Sequence, residues 1–465
     1  MARPAGSLPP AALAPFAGPL DTRRAAHLLR RAGFGGSPGE IARYAAMSPL
    51  DAQRALFDFS AAPPPQPPQL EPMFGAGMTP KENARARRQN GLALTSWWYA
   101  RMLTTPAPLQ EKLTLFWHGH FTSAIQKQIN GGDLLAQNEL FRRFALGNVR
   151  DLTHAVASDP AMLKYLDNAS SSKQHPNENF ARELMELFTL GIGNYTETDV
   201  RELARAFTGW TLTRPQRTGS FTIDPALHDM GVKTFLGRTG NFNGHDVVDI
   251  IFAQRACSRL FAAKLLDFFV YNDPEPELID ATAQLLANNR FELKPVLATL
   301  FTSNVFYSER AYRALVKSPV EYVVGAQRLF DIVEMDRGAF DALRRMGQVV
   351  FYPPNVKGWD GGAAWLSSNT MLARENYASA LAANPKMMQA DWIAPALHAD
   401  PAALAAHLSE VILQGDASPR SLGRVVSYLG GAGVETMRML SGENLDERLR
   451  GAAYLTMAMP AFQLN

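Results

Sequence analysis

The 465-residue chain contains a single cysteine, Cys257, and carries a formal net charge of only +2. One thiol excludes both an internal disulfide and a cysteine-rich zinc site. A nearly balanced charge provides no basic field to attract nucleic acid or an anionic membrane surface, so we expect no nucleic-acid partner. Apolar residues make up 46% of the chain and charged residues 19%. This composition excludes a disordered or fibrous protein.

Long apolar runs are also missing. No stretch approaches the roughly 20 apolar residues that a helix needs to cross a bilayer, so we expect no membrane span. The N-terminal region is interrupted at Pro4, Pro9, Pro10 and Pro15. It therefore lacks the continuous apolar segment of a secretory signal. We expect a cytoplasmic protein, with the periplasm as the alternative.

The common nucleotide-binding and nucleophile signatures are missing as well. No P-loop spacing occurs, and Gly191-Ile192-Gly193 lacks the third glycine of a dinucleotide fingerprint. Gly35-Gly36-Ser37-Pro38-Gly39 has the spacing of a nucleophile elbow, but it follows a predicted helix instead of a strand. Ser37-Pro38-Gly39-Glu40 predicts a helix capping box, and Ser48-Pro49-Leu50-Asp51 repeats the scheme. We therefore interpret Ser37 as a cap.

Helical periodicity predominates along the chain and predicts an all-α fold with a bundle-like body of many helices. Gly, Pro and the β-branched piece Phe221-Thr222-Ile223 interrupt this pattern and predict a small β-hairpin or irregular insertion near 211–236. The predicted domains are a flexible N-terminus (1–20), an N-terminal helical unit (21–60), a Pro-rich linker (61–80), a main helical domain (81–380) and C-terminal helices packed on it (381–465).

The first candidate for chemistry is Phe116-Trp117-His118-Gly119-His120-Phe121. Residues two apart on a helix point to nearly opposite sides, so the two imidazoles can share a ligand only in turn or extended backbone. Gly119 permits such a turn at the end of the preceding helix. The alternative is a pair of histidines near a helix C-terminus, where a charged ring interacts favourably with the helix dipole.

The second candidate is the helix predicted after His175. Asn179, Arg182, Glu183 and Glu186 recur at i, i+3, i+4 and i+7 and form one polar stripe. One interpretation is a solvated face with an Arg182–Glu186 ion pair. The other is an inward face that supplies carboxylates as metal ligands or as acid and base. The helical metal-binding signatures Glu-x-x-His and His-Glu-x-x-His do not occur in this segment.

Two further candidates lie in irregular segments. His228, Asp229 and Lys233 bring an imidazole, a carboxylate and an amine into one loop. The alternative is that the aspartate orders the loop by accepting from backbone amides. The segment 353–359 predicts a rigid turn that presents Asn355, Lys357 and Trp359. Such a mixture suits a polar ligand, while the alternative role of the indole is to fill the core.

Together these segments resemble a bacterial family catalogued as domain of unknown function 1800. The resemblance runs through 27–35, 116–121, 159–163, 177–191, 208–211, 228–229, 264–265, 316–319 and 353–359. It implies a helical protein, often encoded beside sulfatase-like secreted partners. The motifs are polar and come from separate segments, which favours an assembled site. On that basis we predict that the 179–186 stripe faces inward, towards His118, His120 and the His228-Asp229 loop.

The resulting functional hypothesis is an enzyme with a polar, metal-assisted site that performs hydrolysis or group transfer on a phosphate, sulfate or sugar derivative. Its predicted ligands for a divalent metal are His118, His120 and His228. Its predicted catalytic groups are Glu178, Glu183 and Asp229. Its predicted substrate-binding residues are Asn179, Arg182, Lys233, Asn355, Lys357 and Trp359. The alternative is a non-catalytic accessory protein that works with a sulfatase-like partner.

Overall fold

Helices carry most of the chain, which confirms the predicted helical fold. The computed structural model describes residues 11–63, 66–75, 77–125, 129–213, 219–335, 337–384, 400–430 and 443–465. Within these ranges the strands form two sheets of two strands each. No helix in the same ranges is both long enough and apolar enough to cross a membrane.

The N-terminal unit is built from capped helices, as the sequence predicts. Its helices are α1 (Thr22–Ala32), α2 (Pro38–Ala45) and α3 (Pro49–Phe57). At the start of α2, the Ser37 amide donates to Glu40 Oε2 at 3.2 Å and the Glu40 amide donates to Ser37 Oγ at 3.5 Å. At the start of α3, Ser48 Oγ accepts from the Asp51 amide at 3.1 Å. Each serine therefore satisfies an amide that the first helical turn leaves without a partner.

Further helices follow in chain order. They are α4 (Pro80–Thr104), α5 (Pro108–His120), α6 (Gly131–Arg143), α7 (Val149–Ala157), α8 (Pro160–Tyr165), α9 (Glu178–Glu183) and α10 (Glu197–Ala206). A π-helical turn, Leu184–Thr189, continues α9. The described part of the Pro-rich segment lies along α4, where Trp97 Nε1 donates to the Gln66 carbonyl at 2.6 Å.

The irregular region contains the predicted hairpin and a second one. Strands β1 (Trp210–Thr213) and β2 (Ser220–Ile223) pair antiparallel, which confirms the predicted hairpin. Strands β3 (Lys233–Phe235) and β4 (Arg238–Gly240) form another antiparallel pair, which extends past the predicted end of the insertion. Residues 214–218 lie outside the described ranges.

The C-terminal half returns to helices. They are α11 (Gly244–Phe252), α12 (Arg255–Phe269), α13 (Pro276–Asn288), α14 (Leu293–Phe301), α15 (Pro319–Leu329), α16 (Arg337–Met346), α17 (Ser368–Ala382), α18 (Pro401–Leu413), α19 (Pro419–Gly430) and α20 (Glu443–Met457). A 3₁₀ helix, Gly362–Leu366, precedes α17.

Two hydrophobic clusters form the core, and α5 contributes to both. The first takes its side chains mainly from α1–α3, α7 and α9–α14, and the second mainly from α4 and α15–α20. Leu109 and Phe116 of α5 belong to the first cluster, whereas Leu115 belongs to the second. In the N-terminal segment, the Phe16 amide donates to the Thr302 carbonyl at 2.7 Å. Residues 1–10 lie outside the described ranges, and the domain boundaries stay a prediction.

We predict that Ser37→Ala and Ser48→Ala each lower the free energy of unfolding by about 1 kcal/mol, because each leaves a first-turn amide without its acceptor. The measurement is urea denaturation of each variant. Ser427→Ala, at an exposed position within α19, is the control and should cost nothing, since alanine is the better helix former. A Ser37→Ala variant as stable as this control would contradict the capping role.

Candidate functional site

The two histidines of the Trp-His-Gly-His segment do not share a ligand, and the expected turn is absent. Helix α5 continues through His120, so Gly119 is helical. Residues two apart on a helix diverge. The ring of His118 accordingly packs against Trp98 and Phe351, whereas the ring of His120 packs against Phe121. The prediction that the segment supplies two converging metal ligands is therefore wrong.

His118 is buried and its Nε2 accepts a hydrogen bond from the Phe351 amide at 3.0 Å. Burial lowers the pKa of His118 to about 3, so the ring is neutral. An acceptor Nε2 on a neutral ring places the proton on Nδ1. The imidazole therefore anchors the segment that leads to the Trp359 turn.

His120 is fixed in the opposite tautomer. Its Nε2 lies 2.9 Å from the Phe188 carbonyl, which can only accept, so the ring proton is on Nε2. Burial and the nearby Lys264 lower the pKa of His120 well below its usual value. Nδ1 therefore carries a lone pair, and this buried atom has no hydrogen-bond partner among the described residues. Phe188 lies in the π-helical turn, a distortion that often occurs at functional sites.

In the polar stripe of 179–186, Asn179 is exposed and Arg182, Glu183 and Glu186 are half-buried, so the stripe does not form the buried inward face that the sequence predicts. Glu178 is exposed as well. Arg182 makes a bidentate ion pair with exposed Glu197, at 2.8 and 2.7 Å, instead of pairing with Glu186. Glu183 is partly buried, and burial followed by the neighbouring Glu186 raises its pKa. The helical spacing suited both interpretations, and the structure matches neither in full, because the stripe is half-buried and Arg182 pairs with Glu197. The catalytic roles of Glu178 and Glu183 stay predictions.

The loop at His228, Asp229 and Lys233 is held by its own contacts. Asp229 accepts from Arg205 at 2.7 and 3.2 Å, and this ion pair lowers the pKa of Asp229 to about 2. Lys233 is fully buried and its ammonium donates to the Asp229 and Gly231 carbonyls at 2.6 and 3.0 Å. These contacts favour the alternative that Asp229 orders its loop.

His228 is also tied to the backbone, since its Nδ1 lies 2.8 Å from the Thr208 carbonyl. Among the described residues, no group of three or more His, Cys, Asp or Glu side chains could hold a metal ion. The predicted metal set of His118, His120 and His228 is therefore wrong as a cluster. Each imidazole instead bonds to a separate stretch of backbone.

The turn after Pro353 brings Trp359 against α5. Asn355 Oδ1 accepts from the Lys357 amide at 2.9 Å, and the Lys357 ammonium pairs with Asp360 at 3.0 Å on the exposed side. Gly358 has φ +85°, and a Cβ there would lie 2.7 Å from the Gly119 carbonyl. Only glycine allows this close approach of the turn to the helix.

A cleft of about 280 Å³ opens between α5, α12, the segment before α15 and this turn. We name it the Trp359 cleft. Its polar lining consists of His120, Lys264, Asp267, Asn272, Ser318, Glu321, Gln348 and Asp360. Its aromatic lining consists of Phe116, Phe268, Trp359 and Trp365. Of the residues proposed from the sequence, the cleft unites His120 and Trp359, and Asn355 and Lys357 belong to the adjoining turn.

Two side chains that line the Trp359 cleft have pKa values close to neutral pH. Burial lowers the pKa of Lys264 to about 8 and raises the pKa of Asp267 to about 6. Both lie on α12, three residues apart, and thus on one helical face. Shifted groups that line a cleft are candidates for acid–base chemistry. Sequence reasoning missed both as site residues, although Lys264 belongs to a segment that carries the family resemblance.

Two of the residues that line the cleft each have a buried polar atom without a partner in the described part of the chain. One is the His120 Nδ1 lone pair and the other is the Trp359 Nε1–H donor. Buried polar groups normally have partners, so an unpartnered acceptor and an unpartnered donor on two residues of the same cleft call for an explanation.

The fold and the cleft together define a helical protein with a polar, aromatic-walled pocket at the junction of its two core clusters. The chain belongs to the family described as "Protein of unknown function (DUF1800)", which matches residues 27–464. No curated protein and no solved structure gives a significant match to the chain.

We predict that Asp267→Asn becomes progressively more stable relative to the wild type as the pH rises from 4 to 7. The raised pKa of Asp267 means that the folded state holds this proton more tightly than the unfolded state. The contribution of this bound proton to the stability of the wild type is fully present below about pH 4 and is lost as the pH rises through about 6. The asparagine side chain of the variant does not titrate, so the variant has no such loss of stability. Its side-chain oxygen can still accept from the Asp273 backbone amide.

The measurement is urea denaturation of both proteins at several pH values between 4 and 7. Asp341→Asn, at an exposed position on α16, is the matched control. A stability difference between Asp267→Asn and the wild type that stays constant across this range would show that Asp267 titrates normally.

Proposed function

We propose that the protein is an enzyme that binds a hydroxyl-rich, sugar-like substrate in the Trp359 cleft and acts on it by acid–base catalysis. The observation that carries this proposal is the pair of unpartnered atoms, His120 Nδ1 and Trp359 Nε1. A hydroxyl group donates one hydrogen bond and accepts others, so hydroxyls can satisfy both atoms. Neither atom needs a charged ligand.

The aromatic walls support the same ligand class. Trp359 and Trp365 line the cleft together with Phe116 and Phe268. Binding pockets usually combine apolar and aromatic walls with a few placed polar groups. A sugar ring has apolar C–H faces for such walls and hydroxyls at its edge. Lys264 supplies a cation for a sulfate or phosphate substituent.

Asp267 and Asp360 are the carboxylates for the reaction. With a pKa of about 6, Asp267 is partly protonated near neutral pH and is suited to act as general acid. Asp360 is exposed at the mouth of the cleft. In hydrolysis, the Asp267 carboxylic acid protonates the leaving oxygen and the Asp360 carboxylate accepts a proton from the attacking water. These carboxylates come from α12 and the Trp359 turn, whereas Glu178 and Glu183 of α9 stay separate predictions, and the assignment needs no metal ligand set.

We predict that a panel of neutral, sulfated and phosphorylated saccharides contains a ligand that changes the intrinsic tryptophan fluorescence of the wild type. Trp359→Phe keeps an aromatic ring but removes the Nε1–H donor. It should weaken binding by roughly 2- to 10-fold, the value of one hydrogen bond. Trp97→Phe is the control, because Trp97 donates to the Gln66 carbonyl outside the cleft, and its affinity should match the wild type.

Product analysis separates the enzyme from the accessory protein that works with a sulfatase-like partner. An enzyme converts the bound saccharide, and Asp267→Asn binds it without conversion. If the protein is an accessory protein, the wild type binds the same ligand and releases it unchanged. If no saccharide in the panel binds, or if Trp359→Phe and Trp97→Phe bind equally well, the proposed ligand class is wrong.

A further inference from the structure

A second, smaller cavity lies behind the wall of the Trp359 cleft. Val316 and Ser318 line the cleft, whereas Lys317 between them lines a cavity of about 30 Å³ on the other side. Successive side chains of an extended backbone point to opposite sides, so this alternation indicates extended backbone at 316–318. In this segment the Lys317 amide donates to the Gln463 carbonyl at 2.9 Å. Arg30, Arg313, Gln414, Phe462 and Asn465 also line the small cavity.

The cationic side chains of this cavity are buried, and two of them lack anionic partners. Arg30 and Lys317 are each 6% exposed. Arg30 donates through Nη1 to Gln414, but its buried Nε and Nη2 have no partner in the described ranges. The Lys317 ammonium lies 4.2 Å from the centre of the Phe462 ring, a contact that does not neutralise its charge. Buried charges are normally paired or bound to an ion.

Two side-chain carboxylates that act on these cations, Asp416 on Arg30 and Glu321 on Lys317, already have other partners. Asp416 accepts from Arg313 Nε at 2.8 Å and from the Tyr312 hydroxyl. Glu321 forms an ion pair with buried Lys112. Burial and Arg313 lower the pKa of Arg30 to about 9, and burial with Arg313 and Arg30 lowers the pKa of Lys317. The positive charges that line this cavity thus repel one another.

We propose that this cavity binds one inorganic anion of halide size, with Arg30 and Lys317 as its cationic ligands. The volume matches this occupant, since about 30 Å³ of such space holds roughly two water molecules. A sulfate or phosphate, with five heavy atoms, is too large. The site does not depend on the function of the Trp359 cleft. The role of the bound anion is to neutralise Arg30 and Lys317, which lie behind the segment that presents Val316 and Ser318 to the Trp359 cleft.

The test uses the line width of the chloride-35 NMR signal in the presence of the full chain, with gluconate as the inert anion at constant ionic strength. The wild type should broaden the chloride signal, and bromide should reverse the broadening by competition. Lys317→Met, which keeps the side-chain volume, should abolish at least about half of the excess width. Lys294→Met, at an exposed position on α14, should leave it unchanged.

No excess broadening by the wild type, or equal broadening by Lys317→Met and Lys294→Met, would overturn the proposal. In either case the chain balances these charges by itself. If Lys317→Met does not fold, crystals of the wild type soaked in bromide decide the question. An anomalous peak within hydrogen-bond distance of Arg30 and Lys317 supports the site, and its absence there refutes it.

Discussion

The buried carboxylate of Glu111 is the contact on which the arrangement of the helices depends. This side chain has no exposed surface. It accepts from Arg142 Nε at 2.7 Å, from Arg142 Nη2 at 2.9 Å, from Arg101 Nε at 2.5 Å and from Trp98 Nε1 at 2.9 Å. Burial opposes its ionisation, but Arg142 and Arg101 outweigh burial and lower the pKa of Glu111. One carboxylate thereby joins α4, α5 and α6.

The neighbouring residue extends these contacts to α15, which belongs to the same core cluster as α4. Lys112 is buried and forms an ion pair with Glu321 at the start of α15. Helix α5 is thus fixed in position and rotation by charges at its N-terminal end. Its C-terminal end must then present His118 and His120 on opposite sides. His118 holds the backbone at Phe351, and His120 enters the Trp359 cleft.

Local structure was predictable from the sequence because its causes are local. The helix caps, the helix periods and the first hairpin each depend on residues a few positions apart. The same reasoning failed at the histidine pair, because glycine permits a turn without requiring one and the core contacts of α5 favour continued helix. At the polar stripe, the spacing could not show that Arg182 pairs with Glu197 on the next helix, a contact that leaves both side chains partly or largely exposed.

The Trp359 cleft could not be predicted in the same way. Lys264 and Asp267 have the spacing of an ordinary solvated pair on a helix. They become cleft residues only because the segment before α15 and the turn at Gly358 pack nearby. The predicted turn did supply Trp359, and the segment at Lys264 carried the family resemblance. The residue types were therefore visible in the sequence, whereas their convergence depends on contacts across more than two hundred residues of chain.

The most direct test of this account is the free energy of unfolding of Glu111→Gln, measured by urea denaturation. The glutamine keeps the shape but leaves Arg101 and Arg142 without their buried anion. We predict a loss of about 3–5 kcal/mol, as when one partner of a buried ion pair is removed. Glu139→Gln, at an exposed position on α6, is the control and should change stability by less than about 0.5 kcal/mol. A Glu111→Gln variant as stable as this control would contradict the central role of the Glu111 contact.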